Sequence, residues 1–213
     1  MGLTLLDPEG RRWMPDSLRA PRATRAPPPM PEWPPGTYAL WAYHVDVLPG
    51  APPGTYTMAV SLFDRNTLVP ASVLGPDGNP QGPSLSLRTL QLERPAHTPT
   101  LAALGVFDEA SDRCPPHRCG ALGLWSMTAD RTVAAPGDLV GLRWVWEALG
   151  SPSEAALSKA LTMIVTLRDA EGKEVHAWHL PPVAAWWPTD RWLSGDRWVG
   201  RHVLRLPGGL TSG

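Results

Sequence analysis

Leu48-Pro-Gly-Ala-Pro-Pro-Gly54-Thr-Tyr56-Thr-Met-Ala-Val-Ser-Leu-Phe-Asp64 is the clearest structural signal in the chain. A Pro-Pro-Gly turn at Pro52, Pro53 and Gly54 feeds a run that alternates with period two. Tyr56, Met58, Val60 and Leu62 fall on one side, and Thr55, Thr57, Ala59 and Ser61 on the other. That periodicity predicts a β-strand and competes poorly as a helix.

Outward from this strand the same grammar recurs. Ala39, Trp41, Tyr43, Val45 and Val47 alternate before it, and Leu85, Leu87, Leu90 and Leu92 follow it. Later, Val140, Leu142, Trp144 and Trp146 form another alternating face after a Pro136-Gly137-Asp138 turn. Residues 160–167, 175–180 and 198–206 add further β-prone runs. The expectation is an all-β chain of about nine strands. Composition agrees: 26 Pro and 20 Gly among 213 residues punctuate the runs, a share of roughly 22% that lies below the range for disorder.

An internal repeat organises these strands. Leu3-Thr-Leu-Leu-Asp-Pro-Glu-Gly10 matches Val165-Thr-Leu-Arg-Asp-Ala-Glu-Gly172. The first copy continues to Trp33-Pro-Pro-Gly36, a strand with His44-Val45, and Leu48-Pro49-Gly50. The second continues to Trp192-Leu-Ser-Gly195, a strand with His202-Val203, and Leu206-Pro207-Gly208. The period is about 160 residues, which marks a tandem arrangement. Copy one runs on into Gly54-Thr-Tyr56, whereas the sequence stops at Gly213 where that strand would begin in copy two. The expectation is therefore a window on a longer tandem array. It divides into the C-terminal part of one module at 1–94, a linker and Cys loop at 95–120, and the N-terminal part of a second module at 121–213. One permuted sandwich is the alternative.

Several of these motifs resemble a known family: Pro136-Gly137-Asp138 before Trp144 and Trp146, Leu167-Arg-Asp169-Ala-Glu-Gly172, and Trp187-Pro188-Thr189-Asp190-Arg191-Trp192 with Gly195. Pro53-Gly54-Thr55-Tyr56 and Leu62-Phe63-Asp64 complete the set. They are similar to the β-sandwich modules, often in tandem, at the extracytoplasmic C-terminal end of bacterial dolichyl-phosphate-mannose mannosyltransferase-like membrane glycosyltransferases. The resemblance implies immunoglobulin-like antiparallel β-sandwiches acting as non-catalytic accessory or interaction modules. It also implies an extracytoplasmic location, at the cell surface or in the periplasm, with other modules of a parent protein as partners. The chain departs from such enzymes in having no run of 18 apolar residues, so membrane insertion by this chain is not expected.

Charge and motifs narrow the function classes. A net charge of -1, from 19 basic and 20 acidic residues, offers no global field for nucleic acid. Five arginines (Arg11, Arg12, Arg19, Arg22, Arg25) precede a Pro-rich stretch and read as a solvated crossover loop more readily than as a basic arm. Nucleophile-elbow, phosphate-loop, dinucleotide and zinc-protease motifs do not occur. The expectation is no catalytic site, no metal and no cofactor.

Two groups of residues stand out chemically. Cys114-Pro-Pro-His117-Arg-Cys119 reads first as a disulfide, worth about 2 kcal/mol in the loop-entropy model. Free thiols and a three-ligand metal site are the alternatives. Eleven tryptophans raise carbohydrate stacking against core packing. Trp144 and Trp146 share a strand face and are expected in the core. Trp186, Trp187 and Trp192 crowd one loop and are the candidate surface patch for a glycan. His176 and His179, three apart on a strand, are expected on opposite faces and cannot form a helical metal pair.

Overall fold

Three five-residue turns close in one way. In Asp7–Arg11, Gly75–Asn79 and Asp169–Lys173 the first N–H donates to the fifth carbonyl, at 3.0, 2.9 and 3.0 Å. The fourth N–H donates back to the first carbonyl, at 2.9, 2.9 and 3.0 Å. Each fourth residue is a glycine at positive φ: Gly10 at 77°, Gly78 at 78° and Gly172 at 81°. This is a type I turn followed by a left-handed residue, the three-residue hairpin loop whose twist suits antiparallel strands. Two of the three, Asp7–Arg11 and Asp169–Lys173, lie in the Asp-x-Glu-Gly segments that match in sequence.

The structure, a computed structural model, describes residues 2–15, 34–36, 45–64, 66–67, 69–107, 117–149 and 159–210, with the backbone alone described for Cys119. Strands in chain order are β1 (Gly2–Leu6), β2 (Gly54–Ser61), β3 (Val73–Leu74), β4 (Pro80–Gly82), β5 (Leu85–Leu92), β6 (His117–Cys119) and β7 (Leu122–Ala129). They continue with β8 (Leu139–Ala148), β9 (Met163–Arg168), β10 (Glu174–Leu180) and β11 (Arg197–Arg205). The described strand pairings are antiparallel, and a short 3-10 helix spans Thr189–Arg191. The chain is all-β. It divides into two compact units: residues up to 48 with 56–90, and 49–55 with 91 onward.

In the first unit the sheet order is β1-β2-β5, with β3 and β4 as a separate hairpin. Leu3 lies opposite Val60 and Leu5 opposite Met58. Leu3, Leu5, Trp13, Met14, Tyr56 and Ala59 are buried. The expected strand at residues 55–62 is present as β2, but its buried positions Tyr56 and Ala59 are three apart, so they do not share one face. Strict alternation identified the strand, and burial falls on both of its faces.

In the second unit four strands run β11-β8-β7-β6, and β9 and β10 form a hairpin. Trp198 lies opposite Trp146 and Gly200 opposite Trp144, which gathers the aromatic side chains on one face. With Leu122, Ala148, Val183, Ala184 and Trp192 they form the core, and Met163, Val165 and Leu180 pack against it. Trp144 and Trp146 are core residues, as their shared strand face predicts. Along β9 the alternation is clean: Met163, Val165 and Leu167 are half-buried, while Ile164, Thr166 and Arg168 are exposed.

The other face of the four-stranded sheet is covered as well. Val145 and Val199 are buried there, and Leu104 and Val106 are buried with them. Leu104 sits on a single helical turn that starts at Thr100, whose hydroxyl accepts from Ala103 N–H at 3.2 Å. The turn ends where Val106 N–H reaches Leu101 O at 2.9 Å and Gly105 N–H reaches Ala102 O at 3.0 Å, with Gly105 at φ 72°. That pair of bonds is a Schellman closure, which needs a residue tolerant of positive φ. The stretch read from sequence as linker therefore carries buried side chains up to Val106.

Candidate functional site

The loop from Val183 to Trp198 holds the densest chemistry in the second unit. A Trp187 N–H to Ala184 O bond of 3.1 Å and an Asp196 N–H to Leu193 O bond of 3.0 Å brace it at either end. Between them, the Thr189 hydroxyl is fully buried; it accepts from Leu161 N–H at 2.8 Å and donates to Lys159 O at 3.0 Å. One side chain thus satisfies two backbone groups that no strand partner serves, just before β9 begins.

Aromatic geometry explains why this loop stays closed. Trp144 lies over Gly200 and donates its indole N–H to Pro182 O at 2.6 Å. A Cβ at Gly200 would fall 1.9 Å from the Trp144 indole nitrogen, so only glycine admits this approach. Trp187 meets Trp198 edge to face, with centroids 5.6 Å apart. Arg94 sits over both rings, 5.4 Å from the Trp187 centroid and 5.9 Å from that of Trp198. Its guanidinium also pairs with the Asp196 carboxylate and donates to Arg191 O at 2.8 Å. The Asp196 carboxylate accepts a further bond from Leu193 N–H at 2.7 Å. Cation–π contacts of this kind contribute about 0.5–2 kcal/mol, and each bond to a charged group a comparable amount.

The sequence-predicted residues are distributed unequally in this arrangement. Trp192 is 1% exposed and belongs to the core, so its ring offers no face to a ligand. Its indole N–H reaches back to Trp187 O at 3.4 Å. Trp186 and Trp187 are half-buried against the same core. Trp186 also covers Gly54 of the Pro-Pro-Gly turn, where a Cβ would lie 2.6 Å from its ring. The three tryptophans do converge, but as a packed wedge with one buried member; the expected open patch is reduced to the outer parts of Trp186 and Trp187. Core clustering wins because a fully buried indole removes about 200 Å² from water.

No protein-family model matches the chain, and no curated protein or solved structure matches it significantly.

A second polar cluster lies on the opposite face of the sheet. A register shift between Leu124 and Ser126 makes a β-bulge at Trp125, and the Trp125 indole N–H donates to Glu147. Arg197 lies over that ring at 5.8 Å and pairs with Glu147 at 3.1 Å. Nearby, Arg143 donates to Leu104 O, and burial, followed by the charge of Arg201, lowers its pKa from the usual guanidinium value. These groups tie the sheet to the turn at residues 100–106.

The remaining candidates are quickly placed. Cys114 lies outside the described residues, Cys119 ends β6, and His117 is exposed at its start. His176 pairs with Leu167 and His179 with Ile164, so the two imidazoles leave opposite faces of β10. No group of three His, Cys, Asp or Glu side chains among the described residues could hold a metal ion. Arg11 pairs with Asp7 and Glu9, at 2.8 and 3.0 Å, whereas Arg19, Arg22 and Arg25 lie outside the described residues. No described helix is long and apolar enough to cross a membrane. Arg94, Asp196 and Gly200 were not singled out from sequence, and Thr189 stood out only within the motif at residues 187–192. Arg94 and Asp196 are 102 positions apart, and no local signal joins them.

Proposed function

We propose that this chain is a non-catalytic accessory or interaction module with immunoglobulin-like β-sandwich architecture. In this reading it belongs to a bacterial membrane glycosyltransferase or another cell-surface protein and works outside the cytoplasm. It spaces or packs against neighbouring modules of the parent. The observation that supports the reading is how the conspicuous side chains are used. Arg94, Asp196, Thr189 and Trp144 hold one loop shut through internal bonds, and the repeated turns are structural hardware. Fold type alone would not carry this, since one architecture hosts many functions.

In-cell cross-linking of the parent protein, read by mass spectrometry, tests the reading. Cross-links from the two units to neighbouring extracytoplasmic modules are expected, and cross-links confined to cytoplasmic enzymes would overturn it. A carbohydrate-binding module is the second reading, favoured by the half-buried Trp186 and Trp187 rings. Glycan-array binding that disappears in Trp187→Ala would establish it over the first; absence of binding to any glycan removes it.

A further inference from the structure

The matched hairpins define an edge that one unit fills and the other leaves open among the described residues. In the first, Asp7 N–H points into the hairpin toward Arg11 O, and Trp13 N–H returns to Leu5 O. The opposite edge of β1 is taken by β2, with Leu6 opposite Thr57, Leu5 opposite Met58, Thr4 opposite Ala59 and Leu3 opposite Val60. In the second, Asp169 N–H points into the hairpin toward Lys173 O, and β10 occupies the same side as residues 11–13 do in the first. Successive backbone groups alternate sides along a strand, so Arg168, Thr166 and Ile164 aim their N–H and C=O groups at the other edge. Among the described residues no strand pairs with that edge of β9.

An open row of donors and acceptors is a template for one more strand. The side chains along it are also suited to pairing, since Ile164 is 59% exposed and Thr166 is exposed beside it. Equivalence of Asp7 with Asp169 fixes the register. Val60, Ala59, Met58 and Thr57 of a β2-type strand would face Val165, Thr166, Leu167 and Arg168.

We infer that the free edge of β9 is a docking site for an antiparallel strand of the β2 type, an extended segment that follows a Pro-Gly turn and alternates apolar and small polar residues. This rests on the interaction-module reading and names its partner chemistry. β1 with β2, in the same molecule, is the precedent for the pairing.

The probe is a synthetic peptide with the sequence of residues 52–64, added to the full chain and followed by amide hydrogen exchange. Saturable binding should slow exchange of the β9 amides by about 10-fold or more while leaving β10 unchanged. A peptide carrying Ala59→Pro lacks the N–H that would face Thr166 and should give no protection. In the chain, Thr166→Pro should abolish the response, with intact β10 protection reporting that the hairpin still folds. Unchanged β9 exchange at saturating peptide overturns the inference, as does equal protection by the proline peptide. Concentration-dependent protection without peptide would assign the edge to a second copy instead and also overturn it. If cross-linking finds neighbouring modules while the peptide fails, the interaction-module reading stands and the strand-docking inference falls.

Discussion

The hairpins at Asp7–Arg11 and Asp169–Lys173 share a backbone and differ in what surrounds their first carboxylate. Asp7 is 5% exposed and accepts four bonds, from Glu9 N–H, Arg11 N–H, the Arg11 guanidinium and the Trp13 indole, all at 2.8–2.9 Å. Asp169 is exposed and accepts from Lys173 N–H at 2.8 Å. The position equivalent to Trp13 is Val175, which has no donor and is 43% exposed. In the second unit the Trp144 indole donates to Pro182 O and that of Trp192 to Trp187 O. One local turn is thus compatible with a buried charge network or a solvated loop. The choice lies in side chains that the turn itself does not require.

The largest effect expected from breaking this contrast is at Asp7. Asp7→Ala leaves Arg11 and the Trp13 indole without their shared acceptor and should destabilise the first unit by about 4 kcal/mol, measured by hydrogen exchange at β1 and β2. Gly200→Ala should come next, at about 3 kcal/mol in the second unit, because the new methyl meets the Trp144 ring and Pro182 O. Loss of the β8 and β11 exchange protection, with β1 and β2 unaffected, is the expected signature. Asp169→Ala removes one solvated turn bond and should cost about 1 kcal/mol. If it matches Asp7→Ala, the contrast between the two hairpins is wrong.

Alkaline pH sharpens the same contrast. Tyr56 has its pKa raised above the ordinary 10.0, first by burial and then by the negative charge of Asp7. The folded state therefore keeps the phenol protonated where the unfolded chain releases it. Stability from this group is fully present below pH 10 and declines above it, by about 1 kcal/mol between pH 10 and 11. Denaturation at a series of pH values should show this slope in the first unit, and Tyr56→Phe should remove it. Smallest of all is the difference expected between Gly10→Ala and Gly172→Ala. Both positions have positive φ and no neighbour within 4 Å of an added Cβ, so each should cost about 1 kcal/mol, equally in the two units.

Much of the strand content was legible because turns and alternation are local. Pro52-Pro53-Gly54, Pro136-Gly137-Asp138 and the two Asp-x-Glu-Gly turns mark strand ends without reference to the rest of the chain. The third such turn, at Gly75, begins with glycine in place of aspartate, so the Asp-x-Glu-Gly pattern does not find it. The candidate site was less legible. Trp186, Trp187 and Trp192 are grouped by proximity in sequence. Their burial depends on β8, β11 and Arg94, which sequence proximity does not report.

By itself the sequence determined the class of structure and the local turns, since period-two patterning and positive-φ glycines constrain only a few neighbouring residues at a time. Tertiary structure decided the rest. It buried one residue on each face of β2, buried Trp192 while leaving Trp186 and Trp187 part-exposed, and joined Arg94 to Asp196 across 102 positions. It also placed a partner on one edge of β1 and none among the described residues on the matching edge of β9. The physical reason is common to all four: burial and backbone pairing are properties of what the chain meets in space, and identical local turns can meet different neighbours.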